Sequence, residues 1–397
     1  MAKNINGKPF DEATLLKLEI FKECFKEWFP VFIHIKYVER IYIYDFFAGS
    51  GADINGTHGS PLILLDVAKG EELKYCSSVR DNKKKVTFVF NEKEPTKQQN
   101  KYELLILNTE KFISDCCKNN CNDTRCIYDK FCTNKNFKEG FNSEDSGFHS
   151  ILKNKKYAKF ILLDQYGFSQ VDEDIFLTLV NAPITDFIFF ISSSYIKRFK
   201  EHSNTKKYID TQNIEFDEKN ARKCHITIAE YFEHLIPPNV EYYINHFTIQ
   251  KGTNYYGLIF GTNHTLGMEK FLKVCWERDP KAGESNCNTQ ADFENDSLFG
   301  LMEPNKIAQV KENIKDKIRS GKIKDNITGL KYALKKRCLP KVFSEVVKEL
   351  EKKNVLNRIG SKSYTSTNIH KIKVDDKDYY KLEIIDKNEN NKNRMDR

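Results

Sequence analysis

The sequence predicts an α/β protein: a mostly parallel sheet flanked by helices, an antiparallel hairpin at its edge, and a smaller basic module behind it. Three observations carry this. Apolar runs of strand length, RIYIYDFF, KKVTFVFN, KYAKFILLD and ITDFIFFI, alternate with helical stretches as in βαβ units. Two aromatic, β-rich runs, VEYYINHFTIQ and NYYGLIFGTNH, follow each other with a short polar connection, as antiparallel partners do. Charge also changes along the chain. Residues 305–358 hold 16 Lys and Arg against 6 Asp and Glu, and 359–397 hold 9 against 7, so the formal charge of +8 leaves about −4 for residues 1–304. The basic character belongs to the C-terminal part, where it attracts a polyanion or serves as a solvated helical surface.

In chain order, residues 11–30 place Leu15, Leu18, Phe21, Phe25 and Phe29 at helical spacing behind an acidic first turn, which predicts an amphipathic helix ending before Pro30. A buried strand, RIYIYDFF, runs into a turn with Gly49 and Gly51, and a helix then starts at Ser60-Pro61. KKVTFVFNEKEP is the second strand and TKQQNKYELLILNTEKFISDCC a helix. Residues 116–148, polar and rich in cysteine, read as an insertion. KYAKFILLDQYGF, the helical DEDIFLTLVNA and the strand ITDFIFFISSS follow. A polar excursion from His202 to about Lys223 is either a lid or a loop without structure. These elements define a first domain, 1–304. From Asn305 to the end, the second domain reads helix, helix, helix and a strand pair, the order of a winged helix-turn-helix. Its third helix runs from about Pro340 to Asn354, with a basic wing near Lys362. Such domains either insert that helix in the major groove or dock proteins. The nucleic-acid contacts expected here are Lys335, Lys336, Arg337, Lys341 and Lys348.

The chemistry concentrates at the exits of the strands. The first exit, Asp45-Phe-Phe-Ala-Gly49-Ser-Gly51, lacks the glycine spacing of a dinucleotide fingerprint, and no Lys-Ser/Thr pair follows for a phosphate loop. An acid before two glycines suits a ligand with a cationic amino acid end: Asp45 faces the ammonium while Phe47, Gly49 and Gly51 line the approach. Such a ligand is S-adenosylmethionine. Ser60, as N-cap, and Pro61 set a helix start beside it. The second strand ends at Asn91-Glu92, where a doubly wound sheet puts an acid on ribose hydroxyls, so Glu92 is the candidate. The third ends LLDQYGF, placing Asp164 to accept a hydrogen bond from an exocyclic amine and Tyr166 to stack on the base that carries it. An ordinary strand-to-helix turn accounts for each stretch taken singly; three in order on successive strands are more specific.

These residues resemble a Rossmann-like class I methyltransferase of the amino-methylating kind. They are more similar still to the three-Cys-motif partner family, whose motifs appear as Lys17-Leu18-Glu19-Ile20, Asp45 to Gly51, Gly59-Ser60-Pro61-Leu62-Ile63, Leu163-Asp164-Gln165-Tyr166-Gly167 and the segment His264 to Pro280. The resemblance spans about residues 10–300. It implies a methyltransferase-like fold, an S-adenosylmethionine cofactor, a radical-SAM-like partner bearing three cysteines, and mobile or phage-defence loci. Gln165 stands where the family has proline. The function expected is methylation of a base amino group in DNA or RNA. The alternatives are a non-catalytic adaptor for the radical-SAM-like protein and nucleic acid, or an enzyme holding another adenosine-containing ligand in the same pocket.

Other classes are set aside. No run of about 18 apolar residues predicts a membrane span. The opening MAKNINGKPFDEATLL has no apolar signal core, so a cytoplasmic protein is expected. Eleven irregularly spaced cysteines fit thiols rather than a disulfide framework. Cys116, Cys117, Cys121, Cys126 and Cys132 lie close enough in sequence to suggest a metal site or incidental thiols. With no C-x-x-C pair among them, no metal is expected. His264, Trp276 and Asp279 either border the site or pack a helix.

Overall fold

The computed structural model describes residues 8–93, 100–117, 126–142, 147–165, 170–192, 224–252, 254–286, 305–364 and 369–385. Tyr166, Cys121 and the excursion at 202–223 lie outside them. The chain divides into two compact units, Met1–Val274 and Cys275–Arg397.

The first unit is a Rossmann-like layered α/β structure. Its seven strands are β1 (Arg40–Asp45), β2 (Lys85–Asn91), β3 (Asp129–Thr133), β4 (Tyr157–Leu163), β5 (Thr185–Ile191), β6 (Tyr243–Lys251) and β7 (Asn254–Thr262). They stand in the order β3-β2-β1-β4-β5-β7-β6. Neighbours from β3 to β5 pair in parallel, whereas β7 runs antiparallel to both β5 and β6. The uninterrupted apolar runs of the sequence follow from this, because a parallel strand covered by helices is buried on both faces. Ile41, Ile43, Phe88, Phe160, Leu162, Phe187 and Phe189 are fully buried. The sheet reverses its build direction between β1 and β4. At such a switch point the two following loops diverge and leave a crevice at the carboxyl edge of the strands.

The first helix, α1 (Glu12–His34), is capped by Asp11, which accepts from the Thr14 N–H. It runs through Pro30 rather than ending before it. Pro30 removes one backbone hydrogen bond, but Phe29 and Ile33 are fully buried on the same face, and their burial offsets the loss. Trp28 Nε1 donates to Asp186 Oδ2 at 2.6 Å, tying α1 to β5. Burial pushes the Asp186 carboxyl up to about 6 despite hydrogen bonds from Thr262 and Trp28.

The helix expected from Ser60 breaks at Gly70, φ +72°, into α2 (Ser60–Lys69) and α3 (Lys74–Asp81). After β2 comes α4 (Lys101–Cys116). The stretch read as an insertion contains the outer strand β3 and the short helix α5 (Phe137–Asn142), and ends at the first residue of a second, α6 (Phe148–Lys153). An edge strand packs on one side only, so its alternation is weak and DKFCT carries little β signal. Phe137 and Phe148 nevertheless meet Phe46 edge-on at the exit of β1, with centroids 5.2 and 5.3 Å away, and Phe141 lies tilted against it at 6.2 Å. Among the described residues of this part of the chain are three further α-helices, α7 (Glu173–Val180), α8 (Cys224–His234) and α9 (Thr265–Arg278), the last crossing the division between units.

From Asn305 on, the described residues of the second unit form three α-helices, α10 (Lys306–Arg319), α11 (Asn326–Lys335) and α12 (Lys341–Lys352), and an antiparallel pair, β8 (Leu356–Gly360) with β9 (Tyr380–Ile384). Its core joins Val310, Ile314 and Ile318 of α10 to Val342, Phe343, Val346 and Leu350 of α12. A capping box at Asp325 and Thr328 starts α11.

Candidate functional site at the carboxyl edge of the sheet

Register alone brings three acids to one edge. Asp45 lies opposite Phe90 of β2 and Leu162 of β4, so Glu92 and Asp164 each sit two residues further along flanking chains. Their mutual repulsion is felt at Asp45. Complete burial, then the charges of Asp164 and Glu92, push its carboxyl from the usual 3.8 up to about 7, against hydrogen bonds from Ser60 and Phe47 that pull it down.

Asp45 is 0% exposed, and both of its oxygens are engaged. The Ser60 hydroxyl donates to Oδ2 at 2.6 Å and the Phe47 N–H to Oδ1 at 3.2 Å. The carboxylate is therefore not open toward a ligand. It clamps the end of β1 to the first residue of α2. Ser60 is not the N-cap. That position is Gly59, and the Ser60 hydroxyl is spent on Asp45 instead. The Phe47 ring lies 5.2 Å from Phe137, at the border of the aromatic core.

The glycines are explained by the turn itself. Gly49 and Gly51 have φ of +62° and +83°, which other residues adopt only with strain. The Gly49 N–H donates to Glu92 Oε2 at 2.9 Å, and Gly51 accepts from the Gly59 N–H at 2.7 Å. Glu92 Oε1 is 3.9 Å from Lys101 Nζ. Sequence reasoning assigned no part to two residues that shape this loop. Asp53 accepts from the N–H groups of Phe10, Asn55 and Thr57. These bonds outweigh its burial and hold its carboxyl below the ordinary value. Asn108 of α4 donates to the Ser50 carbonyl at 2.7 Å. The D-x-N-G-T spelling around Asp53 is the local turn signal that marked it.

The exit of β4 is built differently. Asp164 receives the ammonium of Lys17 from α1, and that ammonium lies 4.7 Å from the Phe190 ring centroid. Lys17 was visible in the sequence only as a motif position. Gln165, 1% exposed, accepts at Oε1 from the N–H groups of Gln170 (2.9 Å) and Val171 (3.2 Å). Its Nε2 is buried with no hydrogen-bond partner among the described residues. Tyr166 lies outside the described residues.

The donor set fits an adenosyl amino acid in kind: acids at the exits of β1, β2 and β4, a left-handed glycine turn, and one buried amide donor awaiting an acceptor. Among the described residues, no three His, Cys, Asp or Glu side chains are arranged to hold a metal ion, and no helix is long and apolar enough to cross a membrane.

Elsewhere, Asp279 accepts from the N–H groups of Lys281, Ala282, Glu284 and Ser285, and Trp276 Nε1 donates to the Arg337 carbonyl at 3.2 Å. Both have structural work within the second unit. The five basic residues expected to contact nucleic acid fall in two places. Lys335 ends α11, Lys336 and Arg337 follow it, and Lys341 opens α12. Lys348 lies two turns along the same face of α12, 4.7 Å from the Tyr364 ring, with Arg358 3.7 Å from that ring. The face between them carries Glu345, paired with Lys311 at 2.7 Å.

No family model matches the chain, and no curated protein matches it.

Proposed function

We propose that the first unit binds S-adenosylmethionine at the carboxyl edge of β1, β2 and β4 and methylates an amino group on a nucleic-acid base. The observation that carries this reading is the convergence of Asp45, Glu92 and Asp164 around a switch point whose first loop is a left-handed glycine turn. Parallel strands closed by an antiparallel hairpin are also what the resemblance to class I methyltransferases implies.

When bound, the cofactor supplies an electrophilic methyl group. Every other contribution comes from the chain. Glu92 accepts the ribose hydroxyls while one of its oxygens stays on Gly49. Asp45, sealed beneath the turn, does not touch the ammonium; it holds the end of β1 to the start of α2 and so fixes the glycine turn on which the ligand's amino acid end lies. Asp164 exchanges Lys17 for the target amine and aligns it, the base stacking on Tyr166. Alignment of this kind lowers a transfer barrier by proximity and needs no metal in the site. The second unit is read as a winged helix that holds the nucleic-acid backbone through Lys335, Lys336, Arg337, Lys341 and Lys348, and the protein as cytoplasmic.

A second reading is favoured by Gln165 and by the Lys17 ammonium on Asp164: a non-catalytic adaptor, its target subsite closed, that docks a radical-SAM-like three-cysteine protein and nucleic acid. Calorimetric titration with S-adenosylmethionine and S-adenosylhomocysteine, repeated on Glu92→Gln, separates the outcomes. Micromolar binding weakened about tenfold by the substitution is expected, the loss of roughly one charge-assisted hydrogen bond. No heat with either ligand would remove the cofactor from the reading and leave the adaptor.

A further inference from the structure

The cysteines take no part in the reading above, yet the fold gathers four of them. A shallow pocket that encloses about 30 Å³ lies between α2, α3, α4 and the chain entering β3; Cys76, Cys116, Cys117 and Cys126 line it together with Lys69 and Arg80, which leaves room for a ligand only across its mouth. It is remote from the glycine turn along α4, because Asn108, which bonds Ser50, precedes Cys116 by about two turns. The four thiols differ in reach. Cys76 and Cys117 are buried, whereas Cys116 and Cys126 are partly exposed.

Reactive cysteines are found where a thiol is partly exposed, near cations, with a second thiol at hand to resolve it. Cys116 and Cys126 are partly exposed and line one pocket with each other and with Lys69 and Arg80. Lys69 pairs with Asp66 at 3.0 Å, which does most to raise its pKa, and the sulfurs of Cys116 and Cys76 raise it further, so the ammonium feels these thiols. The walls are completed by Phe112 and by Tyr128, whose hydroxyl donates to the Ala68 carbonyl at 2.6 Å.

We infer that this pocket is a thiol-modification site, in which a small anionic disulfide of the glutathione class docks against Lys69 and Arg80 and oxidises Cys116 and Cys126 to a disulfide. In the first step one protein thiolate bonds to a sulfur of the small disulfide. The S–S bond breaks, and one half leaves as a thiolate that takes the proton given up by the protein thiol. In the second step the other protein thiolate attacks the mixed disulfide and expels the remaining half, which is protonated in turn. The protein loses two electrons and two protons, and the small disulfide is reduced to two thiols.

The full chain incubated with oxidised glutathione and followed by intact mass tests this. Trypsin puts Cys116, Cys121 and Cys126 on three different peptides, FISDCCK, NNCNDTR and CIYDK; the first also carries Cys117, and fragmentation between its two cysteines assigns the linkage to one of them. The expected product is two hydrogens lighter and joins the first and third of these. Cys126→Ser should trap one glutathione on FISDCCK, and Cys116→Ser one on CIYDK. Lys69→Gln should slow the reaction about threefold with oxidised glutathione and leave the rate with neutral hydroxyethyl disulfide unchanged. Modification spread evenly over the cysteines at the rate of the denatured chain, or a linkage that does not join Cys116 to Cys126, would overturn the assignment. So would an equal effect of Lys69→Gln on both reagents.

Discussion

The loops that leave β1 and β4 stand side by side at one edge of the sheet, yet they are finished in opposite ways. Behind β1, both Asp45 oxygens are occupied by Ser60 and Phe47, Glu92 holds Gly49, and Asp53 collects three N–H groups. Behind β4, Asp164 depends on a lysine from α1, and Gln165 keeps an amide donor without a partner among the described residues. The first loop is complete without any ligand, as a rigid seat should be. The second holds groups whose hydrogen bonds are exchangeable or missing, which is where a changing occupant is accommodated. A buried donor left unpaired costs about 1–3 kcal/mol, so its persistence beside Asp164 asks for an acceptor from elsewhere.

The largest test of the completed loop is its pH dependence. With a folded pKa of about 7 against an ordinary 3.8, Asp45 holds a proton in the folded chain over a range where the unfolded chain has lost it. The folded state then binds more protons, so its contribution to stability is full below about pH 4 and is lost as pH rises through 7. The expected fall is on the order of 4 kcal/mol. Denaturant unfolding at a series of pH values should show that fall in the native chain and not in Asp45→Asn. Identical slopes in the two proteins would mean that Asp45 titrates normally and that the three acids do not feel one another.

A smaller effect is expected from the open loop. Gln165→Ala strips the acceptor from the Gln170 and Val171 N–H groups, worth about 1 kcal/mol each, but also deletes the orphaned Nε2. The two nearly offset, and the net destabilisation should be about 1 kcal/mol in the apo chain. If a bound ligand supplies the missing acceptor, the cost rises in its presence, and thermal shifts with and without S-adenosylmethionine should diverge. A cost near 3 kcal/mol without ligand would show that the amide is already satisfied.

The difference between the loops also decided what could be read beforehand. Asp45, Gly49, Gly51 and Glu92 are local spelling: acids at strand ends and glycines forced by positive φ announce themselves in short windows. That Asp45 would be sealed rather than open depended on Ser60, 15 residues on, turning its hydroxyl away from the helix end it was expected to cap. Strand β3 was hidden because an edge strand needs little alternation, and the end of α1 was misplaced because burial of Phe29 and Ile33 overrode Pro30. The role of Lys17 was out of reach for another reason. It meets Asp164 across 147 residues, a contact made by tertiary packing that no periodicity encodes.

That contact supplies the smallest and sharpest test. The Lys17 and Asp164 side chains are 13% and 19% exposed, so the pair is neither freely solvated nor sealed. Exposed pairs contribute about 0–1 kcal/mol and buried ones lose several when one partner is removed, which places Lys17→Met at about 1 kcal/mol. A double-mutant cycle with Asp164→Asn should return most of that as coupling energy, little reduced in concentrated salt because water reaches the pair poorly. If Lys17 only holds the place of a target amine, Lys17→Met should leave the unfolding of the β1 loop unchanged and strengthen binding of adenine- or cytosine-containing single strands. Weaker binding would instead make the lysine part of the grip on the strand, and the β4 exit would then be as complete as its neighbour.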